Sequence, residues 1–438
     1  MKDFARRGLL AALFAAGAVF APPAVAEDIV KLPNLSYRTG PFAATGTPLM
    51  NGQRDYMTML NERDGGVNGV KLGYEECETG YNTEKGVECY EKTKAEGAIV
   101  TQPWSTGITL QVLPKSNVDK IPILAPGYGF SAMQDGKIFQ WAFNPPSSYW
   151  DGASMILKAI SDGNLDNLKG KKVALLHLDA PYGKEPIPLI EALAKQHGFT
   201  LLPIPVGLKE MQNQSAQWLQ IRRERPDFVL MWGWGAMNAG AITEAVKTKY
   251  PMNQFVGIWW SGLDGDLKLV GEAGKGYRSL SWSLPNNESK IMKDIKQLVV
   301  EAGHSMINRE SGEFDWVFYQ RGAMISLMLA EGVKVAQDHF GAKVVNAEQL
   351  RWGLENLKLD EARLKELGAE GMIPPFSTSC SNHTGHAGAW MLEWDGTKFV
   401  KSSELLKADR AAIDPIVETA AKAYAEANQP WPVNAECK

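Results

Sequence analysis

Short apolar runs alternate along the chain with longer stretches in which apolar residues recur every three or four positions. The runs at 29–36, 70–76 and 171–179 have the length and residue types of buried strands, and the stretches at 83–97 and 149–160 have the period of amphipathic helices. Strands that alternate with helices are typical of parallel sheets covered by helices on both faces. The pattern therefore predicts an α/β fold.

The alternation begins again after Asn144-Pro145-Pro146. A chain of 438 residues also exceeds what one hydrophobic core ordinarily holds, so we predict two α/β units. Further strands are predicted at 97–103, 118–126, 138–145, 199–206, 227–232, 254–260 and 276–282, and further helices at 47–66, 184–198, 215–226 and 313–340.

Aromatic residues or glycines follow four of the predicted strands. They are Trp104 in GAIVTQPWSTG, Gly127-Tyr128-Gly129 in IPILAPGYG, Trp232 and Trp234 in FVLMWGWG, and Trp259-Trp260 in QFVGIWWSG. Each tryptophan taken singly fits a core position equally well. Ligands of open α/β sheets bind beyond the carboxyl ends of the strands, however, so the shared position predicts that Trp104, Tyr128, Trp232, Trp234 and Trp260 line a ligand cleft.

Hydroxyl groups stand directly after Trp104, in Ser105-Thr106-Gly107. Side-chain hydroxyls and free backbone N–H groups at the start of a helix suit an anion such as a carboxylate. The alternative is a plain helix cap, and one residue can serve both purposes.

Composition and charge exclude several function classes. The formal net charge of −4 provides no basic surface, so nucleic acid is not an expected partner. Residues 127–132 match G-x-G-x-x-A, but Gln134-Asp135-Gly136 interrupts the helix that a dinucleotide site needs. There is no phosphate-binding G-x-x-x-x-G-K-[ST] and no G-x-S-x-G nucleophile motif. We therefore predict neither an enzyme nor a bound cofactor.

The first 26 residues have the layout of a secretory signal peptide. Lys2, Arg6 and Arg7 precede a short apolar run at 8–20, and Ala24-Val25-Ala26 forms an A-x-A cleavage site. The apolar run is too short for a membrane anchor, which needs about 20 residues. The chain is therefore expected to be exported and cleaved after Ala26.

Four cysteines in an exported chain suggest two disulfides. Of the three possible pairings we favour Cys77–Cys89 with Cys380–Cys437, and free buried thiols are the alternative. No Cys/His spacing typical of a metal site is present, and the SNHTGH segment with His383 and His386 is predicted to be a loop without metal.

Five segments share their order and spacing with one protein family. They are RTGPFAATGTPLMNGQRDYMTMLNERDGGVNG, GAIVTQPWSTGITL, IPILAPGYG, KKVALLHLDAPYGKE and PDFVLMWGWGAMNAGAI. Together they resemble the periplasmic solute-binding proteins of branched-chain amino acid ABC transporters, the type I periplasmic binding family. The segment KKVALLHLDAPYGKE is the most specific of the five, and the resemblance extends over essentially the whole mature chain.

The resemblance implies two Rossmann-like lobes with parallel sheets flanked by helices, three hinge strands and a cleft that closes on a ligand. Lobe 1 is expected at 27–146 plus 283–385, and lobe 2 at 147–282 plus 386–438. It also implies a periplasmic monomer that delivers a small molecule to an inner-membrane ABC permease. The alternative is a ligand-sensing module of the same fold that signals to a receptor or regulator, because both roles need only closure.

The resemblance further implies which residues hold the ligand. The positions are Ser105, Thr106, Ala125 and Gly127 for a ligand carboxylate, and Tyr182 for a contact from lobe 2. Arg38 and Thr39, in the first loop, are expected to face the cleft, where Arg38 would pair with a carboxylate. A solvated position is the alternative for Arg38.

The chain departs from the family at one position. Amino-acid binders of the family have an acid just after the strand that corresponds to FVGIWWSG, and Trp260-Ser261 stands there instead, with Asp264 as the nearest acid. A buried ammonium without an anionic partner costs several kcal/mol, of which a cation–π contact returns only roughly 1–2 kcal/mol. A standard aliphatic amino acid is therefore disfavoured, and the expected ligand is a small amino-acid-like molecule, an aromatic carboxylate or an amide.

Overall fold

Helix boundaries follow signals that are local in the sequence. The helix at Tyr149–Ile160 begins with a capping box, in which Ser148 and Asp151 exchange side-chain and backbone hydrogen bonds. The helix at Ala43–Asp64 ends at Gly65, whose φ of 69° suits a residue without a Cβ. These features belong to a computed structural model that describes residues 28–437. The signal peptide predicted at 1–26, with its cleavage site after Ala26, lies outside the described residues.

The strands and helices of the described residues alternate as the apolar pattern predicts. The strands are β1 Ile29–Lys31, β2 Lys71–Gly73, β3 Ile123–Leu124, β4 Ala142–Phe143, β5 Lys172–Leu178, β6 Thr200–Val206, β7 Phe228–Trp232, β8 Phe255–Gly257, β9 Arg278–Ser281, β10 Lys358–Leu359, β11 Phe376–Ser377, β12 Trp390–Trp394 and β13 Phe399–Lys401. The α-helices are α1 Ala43–Asp64, α2 Thr83–Ala95, α3 Thr106–Asp119, α4 Tyr149–Ile160, α5 Pro181–Lys184, α6 Ile187–His197, α7 Ser215–Glu224, α8 Ala236–Lys247, α9 Asp264–Lys268, α10 Lys290–Ile295, α11 Val317–Phe340, α12 Ala347–Glu355, α13 Glu361–Leu367 and α14 Arg410–Ala427.

Lobe 2 is built on a seven-stranded sheet with the order β13-β12-β9-β8-β7-β5-β6. The strands from β6 to β9 are parallel, and β12 and β13 extend the sheet in antiparallel pairing. The central strands β5 and β7 are almost wholly buried. Because helices cover both faces of a parallel sheet, such strands appear in the sequence as continuous apolar runs rather than alternating ones.

Lobe 1 contains a row of parallel extended segments in the order β2, β1, residues 99–102, β3 and β4. The Ile99 N–H donates to the Lys31 carbonyl at 3.2 Å, and the Leu124 N–H donates to the Thr101 carbonyl at 2.9 Å. The strand predicted at 97–103 is therefore an extended segment joined to β3 by a bridge at Thr101 instead of a regular strand.

Helices α1 and α11 lie against each other at glycine contacts. A Cβ on Gly52 would stand 1.8 Å from the Tyr319 carbonyl oxygen, and a Cβ on Gly322 would stand 2.1 Å from that of Leu49. Backbone can approach so closely only where no side chain intervenes. These contacts attach α11 to lobe 1, although the helix lies far along the chain from α1.

The expected crossings between the lobes, near residues 146, 282 and 385, fall between β4 and α4, just after β9 and just before β12. Two of the crossings are hydrogen-bonded, because the Ala387 N–H donates to the Pro146 carbonyl at 2.9 Å. The predicted fold class, two α/β lobes with mostly parallel sheets, is confirmed. The end of the chain, included in lobe 2 by the expected range 386–438, reaches lobe 1, where the Trp431 indole donates to the Ile138 carbonyl at 2.7 Å. The lobe boundaries stay a prediction.

Two disulfides join the cysteines in the pairing that the sequence favours. Cys77 pairs with Cys89 across a Cα–Cα distance of 5.7 Å, and Cys380 pairs with Cys437 across 5.6 Å. The second bond attaches the C-terminal segment to lobe 1. Between residues 28 and 437, no helix combines the length and apolar character needed to cross a membrane.

Candidate ligand-binding site

A cavity of about 20 Å³ lies between the two lobes. This volume holds little more than a water molecule and is far below the range of about 300–1,000 Å³ that is typical of small-molecule sites, so a larger ligand requires the lobes to open further. We call it the aromatic cavity, and its lining consists of Tyr37, Tyr81, Trp104, Ser105, Thr106 and Tyr128 from lobe 1 and Tyr149, Tyr182, Trp234 and Trp260 from lobe 2. Its location suits a small molecule that both lobes contact at once.

The N-terminus of α3 forms a polar part of the aromatic cavity. The Ser105 hydroxyl accepts a hydrogen bond from the Ile108 N–H at 3.4 Å and so caps the helix. Trp104, just before the cap, has a φ of 53°, a left-handed conformation uncommon for a bulky residue. Its backbone N–H donates to the Tyr128 hydroxyl at 2.8 Å. Backbone strain of this kind concentrates at functional sites, and here it places an indole beside a helix start.

The rings of the aromatic cavity pack mainly face to edge. Trp104 stacks on Tyr128 with ring centroids 5.3 Å apart, and Trp260 meets these two rings edge-on at 6.2 and 6.4 Å. Trp234 lies edge-on to Trp260 at 5.6 Å and to Tyr37 at 6.3 Å. Aromatic rings from both lobes therefore form one continuous wall, in the geometries that such pairs prefer.

The ends of adjacent parallel strands bring the lobe 2 rings together. Trp234 follows β7 and Trp260 follows β8, and these strands are neighbours in the sheet. Tyr182 lies in α5, directly after β5 on the other side of β7, and its hydroxyl donates to the Gly233 carbonyl at 3.0 Å. Three strand ends thus supply three rings to one place, which follows from the strand-end rule for α/β sheets.

Gly127 links the two lobes through its backbone. Its carbonyl oxygen accepts hydrogen bonds from the indole N–H groups of Trp259 at 2.8 Å and of Trp260 at 3.0 Å. The residue has a φ of 70°, and a Cβ would stand 2.7 Å from Nε1 of Trp282. Only glycine allows this approach, and the bonds show that the lobes are closed on each other.

Two carboxylates also bridge the lobes. Glu185 of lobe 2 accepts the Ser131 N–H of lobe 1 at 2.5 Å, and burial raises the pKa of Glu185 to about 7. Asp264 of lobe 2 accepts the Val317 N–H at the start of α11 at 3.0 Å, and burial raises the pKa of Asp264 to about 6. Asp264 therefore caps a helix and does not line the aromatic cavity.

The lining of the aromatic cavity, within the described residues, has no formally charged side chain. Burial raises the pKa of Tyr37, Tyr128, Tyr149 and Tyr182 well above the usual value, so their hydroxyls stay protonated. The buried Trp104 indole N–H makes no hydrogen bond to any residue between 28 and 437. The cavity therefore offers hydrogen-bond donors to an oxygen atom and no anionic partner to an ammonium group.

Two predicted contacts from the first loop face away from the aromatic cavity. Arg38 forms a bidentate ion pair with Glu76, with its closest atoms 2.6 Å apart. The Thr39 hydroxyl donates to Glu78 at 2.9 Å. Glu76 and Glu78 lie just after β2, beside the loop, and they accept the hydrogen bonds that we expected a ligand to accept.

Three further predicted contacts lie outside the lining. Trp232 is fully buried, because it is still paired with His177 inside the sheet and the chain leaves the sheet only at Gly233. Ala125 is fully buried, and its N–H donates to the Phe143 carbonyl at 2.8 Å. Gly127 is not part of the lining; its carbonyl oxygen instead accepts the hydrogen bonds of the Trp259 and Trp260 indoles. The predicted residues that do line the cavity are Trp104, Ser105, Thr106, Tyr128, Tyr182, Trp234 and Trp260.

Sequence reasoning missed three tyrosines of the lining. Tyr37 follows the first extended run, so the strand-end rule that selected Trp104 was sufficient to find it. Tyr81 lies in the loop before α2 with a φ of 62°, and Tyr149 is the first residue of α4. Neither has a local signal, because a ring at a loop or helix start has no periodic pattern.

Comparison with known proteins identifies the family. The model of the periplasmic binding protein family matches residues 29–398. The chain belongs to the periplasmic binding protein family. This binding protein is 34% identical to a protein described as an ABC transporter permease from the Pseudomonas fluorescens group, with a TM-score of 0.84 over 93% of this chain and 99% of that chain.

More distant structures share the fold. A branched-chain amino acid ABC transporter protein from Thermus thermophilus, solved with bound valine, has a TM-score of 0.76 at 20% identity and covers 90% of this chain and 99% of its own. A solute-binding protein from R. palustris, solved with benzoate, has a TM-score of 0.68 at 18% identity and covers 87% and 98%. No curated protein matches the sequence. Members of this family bind small molecules for ABC permeases and are solute-binding proteins rather than enzymes.

Proposed function

We propose that this binding protein is the exported component of an ABC importer, which closes its lobes on a small ligand and delivers it to an inner-membrane permease. The observation on which the proposal rests is the aromatic cavity, whose lining comes from both lobes. A ligand that contacts both lobes favours the closed state by the free energy of those contacts. Binding and closure are then one event, and a permease can recognise the closed form.

The proposed ligand is a small amino-acid-like molecule, an aromatic carboxylate or an amide. Aromatic rings dominate the lining, and they bind flat or apolar groups through their faces and edges. The benzoate-bound R. palustris protein is a distant relative with a ligand of this kind. The absence of an acid among the described lining residues disfavours an aliphatic amino acid with a free ammonium group.

We also propose that the chain acts in the periplasm after its signal peptide, residues 1–26, is removed. The proposal is supported by the basic, apolar and A-x-A regions of this segment and by the family. Two disulfides fit an oxidising compartment.

Ligand uptake by cells that have and lack the protein distinguishes import from sensing, because a sensor leaves uptake unchanged.

Thermal-shift screening of the mature protein tests the proposal. The panel contains amino acids, aromatic acids, amides and polyols, and a true ligand at about 100 times its Kd stabilises the folded state by about 2.7 kcal/mol. Trp260→Ala should abolish the shift because the indole lines the cavity. The control is Trp218→Ala in lobe 2, which is fully buried against Tyr250 and Phe255 and should lower the melting temperature but keep the shift. Equal loss of the shift in both variants would contradict the proposed site.

A further inference from the structure

Arg321, in the first turns of α11, has a positive charge that is almost wholly buried. The residue is 1% exposed and forms no salt bridge with any residue between 28 and 437. Its guanidinium donates instead to the Trp259 carbonyl, to the Ser281 hydroxyl at 2.7 Å and to the Ser283 hydroxyl at 2.9 Å. Buried charges are ordinarily paired with opposite charges, so this one lacks its usual partner.

The charge of Arg321 lies one aromatic ring away from the aromatic cavity. Its guanidinium carbon is 5.3 Å from the ring centroid of Trp260, and Trp260 lines the cavity. The guanidinium carbon also lies 5.2 Å from the Trp282 ring centroid and 5.0 Å from that of Phe318. Aromatic rings screen a charge far less than water does, so the field of Arg321 reaches the cavity.

One acid, Asp264, compensates the positive charge of Arg321 only in part. Asp264 is the carboxylate that most favours the charged form of Arg321, but its Oδ2 accepts the Val317 N–H at 3.0 Å. Burial lowers the pKa of Arg321 to about 9, against the opposing effect of Asp264. Arg321 therefore remains protonated at neutral pH without a direct anionic contact.

The N-termini of α3 and α8 add positive potential at the same place, whereas the N-terminus of α4 is offset by the Asp151 carboxylate of its capping box. Helix α3 begins at Thr106, in the lining, and α8 begins two residues after Trp234. The N-terminus of a helix is equivalent to about half a positive charge. The unpartnered Trp104 N–H is a donor in the same lining. All of these features favour a negative charge inside the aromatic cavity.

We infer that the ligand is an anion without an ammonium group, such as a monocarboxylate with an apolar or aromatic body, and that Arg321 determines this charge selectivity from behind Trp260. The inference rests on the proposed function and narrows its ligand class. Arg321 does not touch the ligand. It supplies a counter-charge at a distance, and the ligand anion supplies the negative charge that the buried guanidinium lacks.

Matched pairs of a carboxylate and its amide test the inference. Benzoate with benzamide, and 3-phenylpropionate with 3-phenylpropionamide, differ in charge but have nearly the same shape. Isothermal titration calorimetry with the mature protein should show that each carboxylate binds at least about tenfold tighter than its amide. Arg321→Met removes the charge and should reduce this ratio about tenfold, whereas Arg321→Lys keeps the charge and should preserve most of it.

The ratio of carboxylate affinity to amide affinity separates charge selectivity from structural damage, because a distorted site weakens the binding of the carboxylate and of the amide alike. Asp264→Asn keeps a cap for the Val317 N–H but removes the partial compensation of Arg321, so it should raise the ratio even if Arg321→Met does not fold. Any of three results overturns the inference. They are an unchanged ratio in Arg321→Met, a wild type that binds the amides as tightly as the carboxylates, and no binding of either carboxylate. The thermal-shift panel tests the proposed function separately. A neutral or cationic ligand found there would support import and would refute the inference that the ligand is an anion.

Discussion

The indole N–H of Trp104 provides the sharpest test of the aromatic cavity. Trp104→Phe removes this donor but keeps an aromatic ring, so the stacking on Tyr128 at 5.3 Å is largely retained. The N–H is buried without a partner in the described residues, so the free protein loses no hydrogen bond. The ligand complex loses one, which is worth about 1.4 kcal/mol and predicts an affinity about tenfold weaker.

Trp232→Phe is the matched control, because the Trp232 indole N–H is also buried without a partner among residues 28–437. Trp232 lies inside the lobe 2 sheet and outside the aromatic cavity. The smaller ring leaves unfilled volume in the core, so this variant should lose about 1–3 kcal/mol of unfolding free energy while its affinity stays unchanged.

Calorimetric titration with the strongest binder of the thermal-shift panel measures the affinities, and urea unfolding measures the stabilities. An unchanged affinity in Trp104→Phe would refute the role of its N–H. An equal loss of affinity in Trp104→Phe and Trp232→Phe would show that the effect comes from packing and not from the lining.

Three further predictions concern closure and stability. Glu185 lies at the contact between the lobes, where burial raises its pKa from 4.5 to about 7, and opening the lobes should expose it and return the pKa toward 4.5. Closing then takes up a proton, so affinity for a ligand that does not titrate should fall as pH rises from about 4.5 to about 7 and level off above, and Glu185→Gln should flatten this pH dependence. Gly127→Ala places a Cβ 2.7 Å from Nε1 of Trp282 at a positive φ, so calorimetry should show affinity at least about tenfold weaker, and unchanged affinity would contradict the closing role of this backbone. Replacing both Cys77 and Cys89 with serine opens a loop across a sequence separation of 12 and should cost about 3 kcal/mol in urea unfolding, whereas no loss would show that the bond adds no stability.

Local patterns in the sequence were sufficient for the fold class and for most elements. Helix α4 has the predicted bounds, and β5 and β7 lie within one residue of theirs at each end, because an apolar run or a period of three to four reports directly which face is buried. The strand-end rule also located Trp104, Trp234 and Trp260 correctly in space, since the carboxyl ends of parallel strands meet at one edge of a sheet. That these residues contact a ligand stays a prediction.

The tertiary structure alone decided which side chains face the aromatic cavity. Trp232 and Trp234 are two residues apart in the same run, but one is still paired in the sheet and the other has left it. Arg38 pairs with Glu76, 38 residues away, and Arg321, on α11 of lobe 1, lies over the ring of Trp260 of lobe 2. Such contacts depend on how distant segments pack, and packing between distant segments leaves no periodic signal in either segment. The sequence therefore specifies the elements and the chemistry near their ends, whereas the closing of two lobes selects the residues that meet.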